Sequence, residues 1–109
     1  MADARPTIST HVLDTATGLP ARGVRVRLAR LDDAGATPLG EGVTDDDGRI
    51  HDLLGGRPLE AGTYRLTFDL GDGRFFAAAS LDVRIDDASR RCHVPLLVAP
   101  YGLSSYRGS

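Results

Sequence analysis

Hydrophobic and polar residues alternate with a period of two along several stretches of this chain. In residues 24–28 (V-R-V-R-L), three aliphatic side chains fall on one face and two arginines fall on the other. Residues 63–70 (T-Y-R-L-T-F-D-L) and 81–86 (L-D-V-R-I-D) follow the same pattern. Such alternation is typical of β-strands that bury one face and expose the other to water. It therefore restricts the chain to folds that are built on sheets.

Segments rich in glycine, proline and aspartate separate the alternating stretches, and these residue types favour tight turns. The segments are residues 15–21, 45–48, 55–58 and 71–73. Three more stretches predict strands, namely residues 7–14, 40–45 and 93–98. About seven short strands at this spacing favour an antiparallel β-sandwich. We expect one domain over residues 1–109, whose only helix candidate is a turn or two around residues 76–79.

The composition excludes several classes of protein. All 13 basic residues are arginine, and a chain without lysine supplies neither the lysine of a phosphate-binding P-loop nor the amine of a Schiff base. No G-x-S-x-G motif occurs, so the nucleophile of an α/β-hydrolase is missing. The net charge is −2 and the arginines are scattered, which argues against a nucleic-acid-binding surface.

The cysteine count and the N-terminal residues bear on the compartment. The single cysteine, Cys92, cannot form an intramolecular disulfide, which fits a reducing cytosol. The start M-A-D-A-R-P lacks the apolar core of a secretory signal. No apolar stretch approaches the roughly 20 residues that are needed to span a bilayer. We therefore expect a cytoplasmic protein that does not contact membranes.

Two of the three histidines lie on predicted strands with apolar residues on both faces. His11 shares a face with Ser9 and Leu13, and His93 is followed on its own face by three apolar residues. Those three residues are Pro95, Leu97 and Ala99. A mixed, largely apolar face that carries a histidine suggests cover by another subunit. The third histidine, His51, is predicted to be an ordinary, partly buried residue.

Arg49 directly follows the D-D-D-G turn at residues 45–48. A surface arginine after a hairpin is the simplest interpretation of its position. The aspartates suggest calcium, but the alternating ligands and distant glutamate of an EF-hand are absent. A zinc site is also disfavoured, because Cys92 and His93 are adjacent and point to opposite faces of a strand. We predict no metal and no other cofactor.

The C-terminal segment does not have the composition of a disordered tail. Residues 95–105 (P-L-L-V-A-P-Y-G-L-S-S) lead into Y-R-G-S at residues 106–109. A frayed end with an incidental aromatic residue is the ordinary expectation for a terminus. The composition instead predicts a strand that continues to Ser109.

Four motifs occur in an order that resembles a known family. They are S-T-H-V-L-D at residues 9–14, D-D-D-G-R at 45–49, H-V-P-L-L at 93–97 and Y-R-G-S at 106–109. Together they resemble the 5-hydroxyisourate hydrolases, the transthyretin-like proteins of urate breakdown, over residues 8–109. The Y-R-G-S ending is the most specific of the four, because the hormone-carrying transthyretins lack it.

The resemblance implies a fold, an assembly and a reaction. The fold is a sandwich of two four-stranded sheets, assembled as a homotetramer with active sites at the dimer–dimer interface. The reaction is hydrolysis of 5-hydroxyisourate at a ring amide to 2-oxo-4-hydroxy-4-carboxy-5-ureidoimidazoline. No metal or cofactor takes part. The purine-derived small molecule is thus the expected partner, besides further copies of the chain.

The resemblance also implies which residues form the site. The implied catalytic residues are His11, Arg49, His93 and Ser109. The implied substrate-binding residues are His11, Arg49, Tyr106, Arg107 and Gly108. Two histidines can divide acid and base work near neutral pH, and arginine offers a charged, planar fork to a carbonyl or an anion. Ser109 would add a hydroxyl and a terminal carboxylate.

The chain departs from the family pattern at one point, and two alternative functions are retained. The connector between the strands at 63–70 and 81–86 is short, whereas family members usually carry a longer segment with a short helix. The alternative function is that of a transthyretin-type protein that binds an apolar ligand without catalysis. A structural sandwich domain of a larger surface protein is a third possibility. The ionisable residues His11, His93 and Tyr106 favour the hydrolase over an apolar binding channel.

Overall fold

The structure, a computed structural model, describes residues 5–109. The predictions that concern residues 1–4, as part of the single domain and of the N-terminal stretch, lie outside the described residues. Nine strands form within residues 5–109: β1 Ile8–Asp14, β2 Leu19–Pro20, β3 Arg25–Asp32, β4 Gly35–Val43, β5 Arg49–Ile50, β6 Gly62–Asp69, β7 Ala78–Ile85, β8 Cys92–Val98 and β9 Leu103–Ser105. No helix in this range is long and apolar enough to cross a membrane.

The strands form two sheets that pack face to face. One sheet has the order β2-β1-β8-β9, with β5 also paired to β1, and the other has the order β4-β3-β6-β7. The alternating residues close a single hydrophobic core between the sheets. Its fully buried members include Ile8, Val12, Val26, Leu28, Tyr64, Leu66, Phe68, Leu96 and Val98. The predicted all-β sandwich is confirmed.

The sheets differ from the expected pair of four-stranded antiparallel sheets in two details. The first sheet has five strands, because β5 pairs with β1 through His11 and Arg49. In addition, β1 and β8 run parallel along their whole length, with Ile8 beside Cys92 and Asp14 beside Val98. Period-two alternation shows which residues share a face but carries no information on strand direction. The parallel pair was therefore invisible in the sequence.

No helix forms at residues 76–79. Instead, β7 begins at Ala78, and Ala79 is buried opposite Phe68 in the β6–β7 pair. The Leu70 amide donates a hydrogen bond to the Ala77 carbonyl over 2.9 Å, which extends the pairing just beyond the strands. Cross-strand pairing and burial outweigh the helix propensity of three alanines. The connector is thus the loop of a β-hairpin and contains no helix.

Candidate active site

The parallel pair of β1 and β8 places the histidine motifs side by side. In this register Ser9 lies beside His93, and His11 lies beside Pro95. The alternate residues of both strands fill the core, so His11 and His93 project from the outer face of the five-stranded sheet and are half-buried there. Partners across a ladder share a face. The two motifs, 84 positions apart from Ser9 to His93, therefore meet on one surface.

The His93 ring is held by a side-chain hydrogen bond. Ser9 Oγ lies 2.9 Å from His93 Nδ1. Desolvation lowers the pKa of His93 below its ordinary 6.5, and the charges of Arg49, His11, Arg91 and His51 lower this pKa further, in that order. An imidazole with a lowered pKa is neutral at pH 7 and can accept a proton. With Nδ1 occupied by Ser9, Nε2 remains for other chemistry.

The turn at residues 45–48 places Arg49 beside β1. The Asp45 carboxylate accepts hydrogen bonds from the backbone amides of Asp47 (2.9 Å) and Arg49 (3.0 Å). Both hydrogen bonds lower the pKa of the Asp45 carboxyl, and the bond from the Arg49 amide has the larger effect. They outweigh the partial desolvation of the carboxyl, which raises this pKa. Gly48 has φ +75°, and a Cβ there would lie 2.5 Å from the Val12 carbonyl oxygen. The glycine and the aspartate together make the turn possible and bring Arg49 opposite His11.

The C-terminal segment returns along the free edge of β8 to His93. Strand β9 pairs with β8 from Leu103 to Ser105, and the same register reappears where Gly108 pairs with His93. Between them Pro95 has no amide hydrogen, and Ser105 Oγ donates to its carbonyl over 2.7 Å. The predicted strand to Ser109 is therefore interrupted at residues 106–107, but its register survives.

Gly108 is in close contact with the histidine. Its amide donates to the His93 carbonyl over 2.8 Å, and a Cβ on Gly108 would lie 2.5 Å from His93 Cδ2. We expect Gly108→Ala to displace the ring or the tail and to lower kcat by at least about tenfold, since misplacement of about 1 Å can cost a hundredfold. Gly102→Ala is the matched control, because a Cβ there meets nothing within 4 Å. Equal kinetics of the two variants would contradict this prediction.

These elements enclose a cleft of about 270 Å³ on the outer face of the sheet. Its lining residues are mostly polar and come from β1, β5, β8 and the tail: Ser9, Thr10, Arg49, Ile50, His51, Arg91, His93 and Ser109. None of these residues is an aspartate or a glutamate. The two guanidinium groups of Arg49 and Arg91 outnumber the one C-terminal carboxylate, which Ser109 carries, so the cleft has a net positive charge that favours an anionic ligand. The Arg49 side chain makes no hydrogen bond or ion pair within residues 5–109, so it is available to such a ligand.

The structure brings together most of the residues that the sequence singled out. Arg49, His93 and Ser109 line the cleft, Gly108 backs it, and His11 borders it as the ladder partner of Arg49. Tyr106 and Arg107 line a second cleft with Cys92 and Val94, residues of β8 that face the core. Arg107 is opposite Val94 in the tail register, which explains why its side chain is directed away from His93. Within a single chain both Tyr106 and Arg107 line a cleft different from that of His93.

Five residues of the cleft were not predicted as site residues from the sequence: Ser9, Thr10, Ile50, His51 and Arg91. His51 is not partly buried as predicted, since its side chain is 73% exposed and its Nε2 lies 3.7 Å from Asp45 Oδ2. The alternation of side chains between the two faces of a strand could have indicated Ser9, His51 and Arg91. Ser9 and His11, Arg49 and His51, and Arg91 and His93 are each two positions apart, so each pair is directed to one face.

The residues that could suggest a metal are kept apart. Cys92 is buried in the core while its neighbour His93 faces the cleft, as the sequence predicted. Burial raises the pKa of the Cys92 thiol. Within residues 5–109, no three His, Cys, Asp or Glu side chains come together as metal ligands. The absence of a metal from the reaction stays a prediction.

Comparison with known proteins identifies the family. The sequence profile described as HIUase/Transthyretin family matches residues 8–108. The chain belongs to this family. A member of the HIUase/Transthyretin family from Deinococcus radiodurans, named 5-hydroxyisourate hydrolase, is 46% identical over 115 residues, which cover 95% of this chain and 97% of the relative. The resemblance that the four motifs predicted is confirmed.

Solved structures of the HIUase/Transthyretin family agree with the fold. The 5-hydroxyisourate hydrolase of Klebsiella pneumoniae has a TM-score of 0.81 at 41% identity and covers 94% of this chain and 99% of its own. A transthyretin from Sparus aurata has a TM-score of 0.84 at only 26% identity, and the match covers 95% of this chain and 97% of the transthyretin. Backbone similarity thus fails to separate the two branches of the HIUase/Transthyretin family. Sequence identity favours the hydrolases, and the chain is an enzyme of the hydrolase class.

Proposed function

We propose that this chain hydrolyses 5-hydroxyisourate to 2-oxo-4-hydroxy-4-carboxy-5-ureidoimidazoline without a metal, as a single domain of residues 1–109. The observation that carries the proposal is the positively charged cleft in which His93, with its lowered pKa, lies beside Arg49. The names of the relatives from Deinococcus radiodurans and Klebsiella pneumoniae support the choice of substrate. The substrate is a small oxidised purine with several carbonyls and an acidic ring system, which suits a cleft lined by arginines.

In the proposed reaction, water attacks a ring carbonyl of the substrate. The His11/His93 pair activates the water, and the Ser9 bond to Nδ1 supports His93 Nε2 as the atom that accepts the proton. For this, Nδ1 carries the hydrogen and donates it to Ser9 Oγ. The carbonyl oxygen becomes an oxyanion, which the Arg49 guanidinium stabilises by charge and hydrogen bonding.

The tetrahedral intermediate then collapses by breaking the bond between the carbonyl carbon and the ring nitrogen. The nitrogen takes up a proton from the protonated histidine pair, and the carbonyl carbon ends as a carboxylic acid, which releases its proton to water and leaves the carboxylate of the product. His93 thereby returns to its neutral form. Ser109, which lines the cleft, is assigned a catalytic role in orienting the water or the leaving nitrogen through its hydroxyl. No cofactor enters these steps.

We assign substrate binding to His11, Arg49 and the tail residues Tyr106, Arg107 and Gly108. In one chain Tyr106 and Arg107 line the neighbouring cleft, and Tyr106 is 61% exposed. Their part in binding therefore requires the proposed homotetramer, in which a second copy meets the outer face. The half-buried Leu13 and Leu97 on that face support such cover. Size-exclusion chromatography with light scattering measures the oligomeric state directly.

The decisive experiment follows the ultraviolet absorbance of 5-hydroxyisourate, which urate oxidase generates in the cuvette. We expect this protein to accelerate the decay well above the spontaneous rate, in the presence of a chelator as well as without it. Decay at the spontaneous rate, from a folded oligomer, would overturn the proposal and favour transthyretin-type ligand binding. Loss of the acceleration with chelator would overturn its metal-free form.

A further inference from the structure

Arg91 lies at the rim of the cleft, immediately before β8 and two positions from His93. Its guanidinium bridges two backbone carbonyls: Nη1 donates to that of Arg5 and Nη2 to that of His51, each over 3.3 Å. These contacts hold the side chain against the loop that follows Arg49. Arg91 is therefore a cleft residue with a defined position and not a freely rotating surface arginine.

The charge of Arg91 lacks a carboxylate partner within residues 5–109. Other arginines of the sandwich do have one: Arg65 binds Asp82 over 2.7 Å and Arg74 binds Asp14 over 3.1 Å. No aspartate or glutamate lines the cleft, and the C-terminal group of Ser109 is the one carboxylate that its lining residues carry, so the charges of Arg91 and Arg49 together leave the cleft net positive. A guanidinium has five N–H donors, so two carbonyls leave most of them available.

We propose that Arg91 is a second substrate-binding arginine, which together with Arg49 selects anionic purine rings over neutral ones. This inference rests on the proposed function and deepens it. Arg49 is assigned to the carbonyl that reacts, so Arg91 contacts a part of the ring that does not change charge during the reaction. An interaction made equally in the ground state and the transition state affects KM and leaves kcat unchanged.

The charges around His93 agree with this arrangement. His93 is faced by Arg49 from β5, His11 from β1, Arg91 from the position before β8 and His51 from the loop after β5, and all of them lower its pKa. Removing the charge of Arg91 is therefore expected to raise the pKa of His93 and to shift the acid limb of the kcat/KM profile toward higher pH. This shift reports that the charge of Arg91 lies close to His93, whereas KM and the inhibition by urate report whether Arg91 binds the substrate.

The test compares Arg91→Met with Arg90→Met in the full chain. Arg90 is the matched control, because it is exposed, does not line the cleft and acts on Asp87 instead. At mildly alkaline pH we expect Arg91→Met to raise KM for 5-hydroxyisourate about tenfold, with kcat within about twofold of the wild type. The inhibition constant of urate, used as a stable anionic probe, is expected to rise by the same factor. The salt dependence of KM is expected to be weaker in Arg91→Met than in Arg90→Met.

Each outcome decides between the inference and its alternatives. An active wild type with an unchanged KM in Arg91→Met would overturn the role of Arg91 and leave the proposed function standing. A lower melting temperature with unchanged KM, urate inhibition and salt dependence would overturn it as well, in favour of a structural role. A folded wild type without turnover would overturn the proposed function and this inference with it.

Discussion

Replacing His93 with glutamine is expected to lower kcat by about 10²- to 10⁴-fold without unfolding the protein. The ring lies on the outer face of the sheet, so the core between the sheets is not disturbed. Glutamine can still meet Ser9 Oγ by a hydrogen bond, but it cannot accept a proton near neutral pH. Steady-state absorbance kinetics measure the loss, and thermal unfolding of the variant is the control. A His93→Gln enzyme with full activity would remove this residue from the mechanism.

The His93 imidazole also determines how activity and stability are expected to depend on pH. Because the pKa of His93 is lowered below 6.5, the ring is neutral at pH 7, and the acid limb of kcat/KM is expected below pH 6.5. The His93 imidazole binds a proton more tightly in the unfolded chain than in the folded one. The contribution of His93 to the free energy of unfolding is therefore present above pH 6.5 and is lost as the pH falls through the pKa of His93 in the folded protein. An acid limb above pH 6.5 would contradict the assignment.

Replacing Arg49 with methionine is expected to lower kcat about a hundredfold, because the oxyanion loses its charged donor. Methionine keeps much of the aliphatic bulk, and the exposed side chain has no partner within residues 5–109 that would be left unpaired. The Asp45 turn is retained, since its hydrogen bond comes from the Arg49 backbone amide. The loss should therefore fall on catalysis and spare folding.

Arg22→Met is the matched control for Arg49→Met. Arg22 contacts the same turn through Asp46 over 3.4 Å, but it is 78% exposed and does not line the His93 cleft. An exposed ion pair of this kind contributes little to stability. We expect the kcat of Arg22→Met to match that of the wild type. A similar decrease in both variants would indicate a general effect of charge on the protein, and it would contradict a specific role of Arg49.

Much of the site was accessible from the sequence because strand parity is a local property. Alternation assigned His93 and Cys92 to opposite faces, and the buried thiol and the half-buried imidazole agree with that assignment. The same rule does not find Thr10 and Ile50, which have the opposite parity, but it would have added Ser9, His51 and Arg91 to the lining. They were missed because a serine or an arginine on one strand has meaning only beside its neighbour on another strand.

The structure of the C-terminal segment could be predicted only in part from local sequence patterns. Its composition predicted a strand to Ser109, and the register indeed persists to Gly108. The interruption arises because its partner residue Pro95 lacks an amide hydrogen, and this follows only from knowing which strand the tail joins. Likewise, the motif grouped Tyr106 and Arg107 with the site, whereas the ladder directs Arg107 to the face of Val94.

The sequence by itself determined the all-β class, the faces of the strands, the turn at residues 45–48 and the family, because each depends on residue types at short spacing. The tertiary structure alone decided that β1 and β8 run parallel, that Ser9 holds the His93 ring and that Arg91 reaches the loop beyond Arg49. Those contacts join residues 40 to 84 positions apart. Pairings over such distances are decided by the burial of both sheets together, which no local pattern encodes.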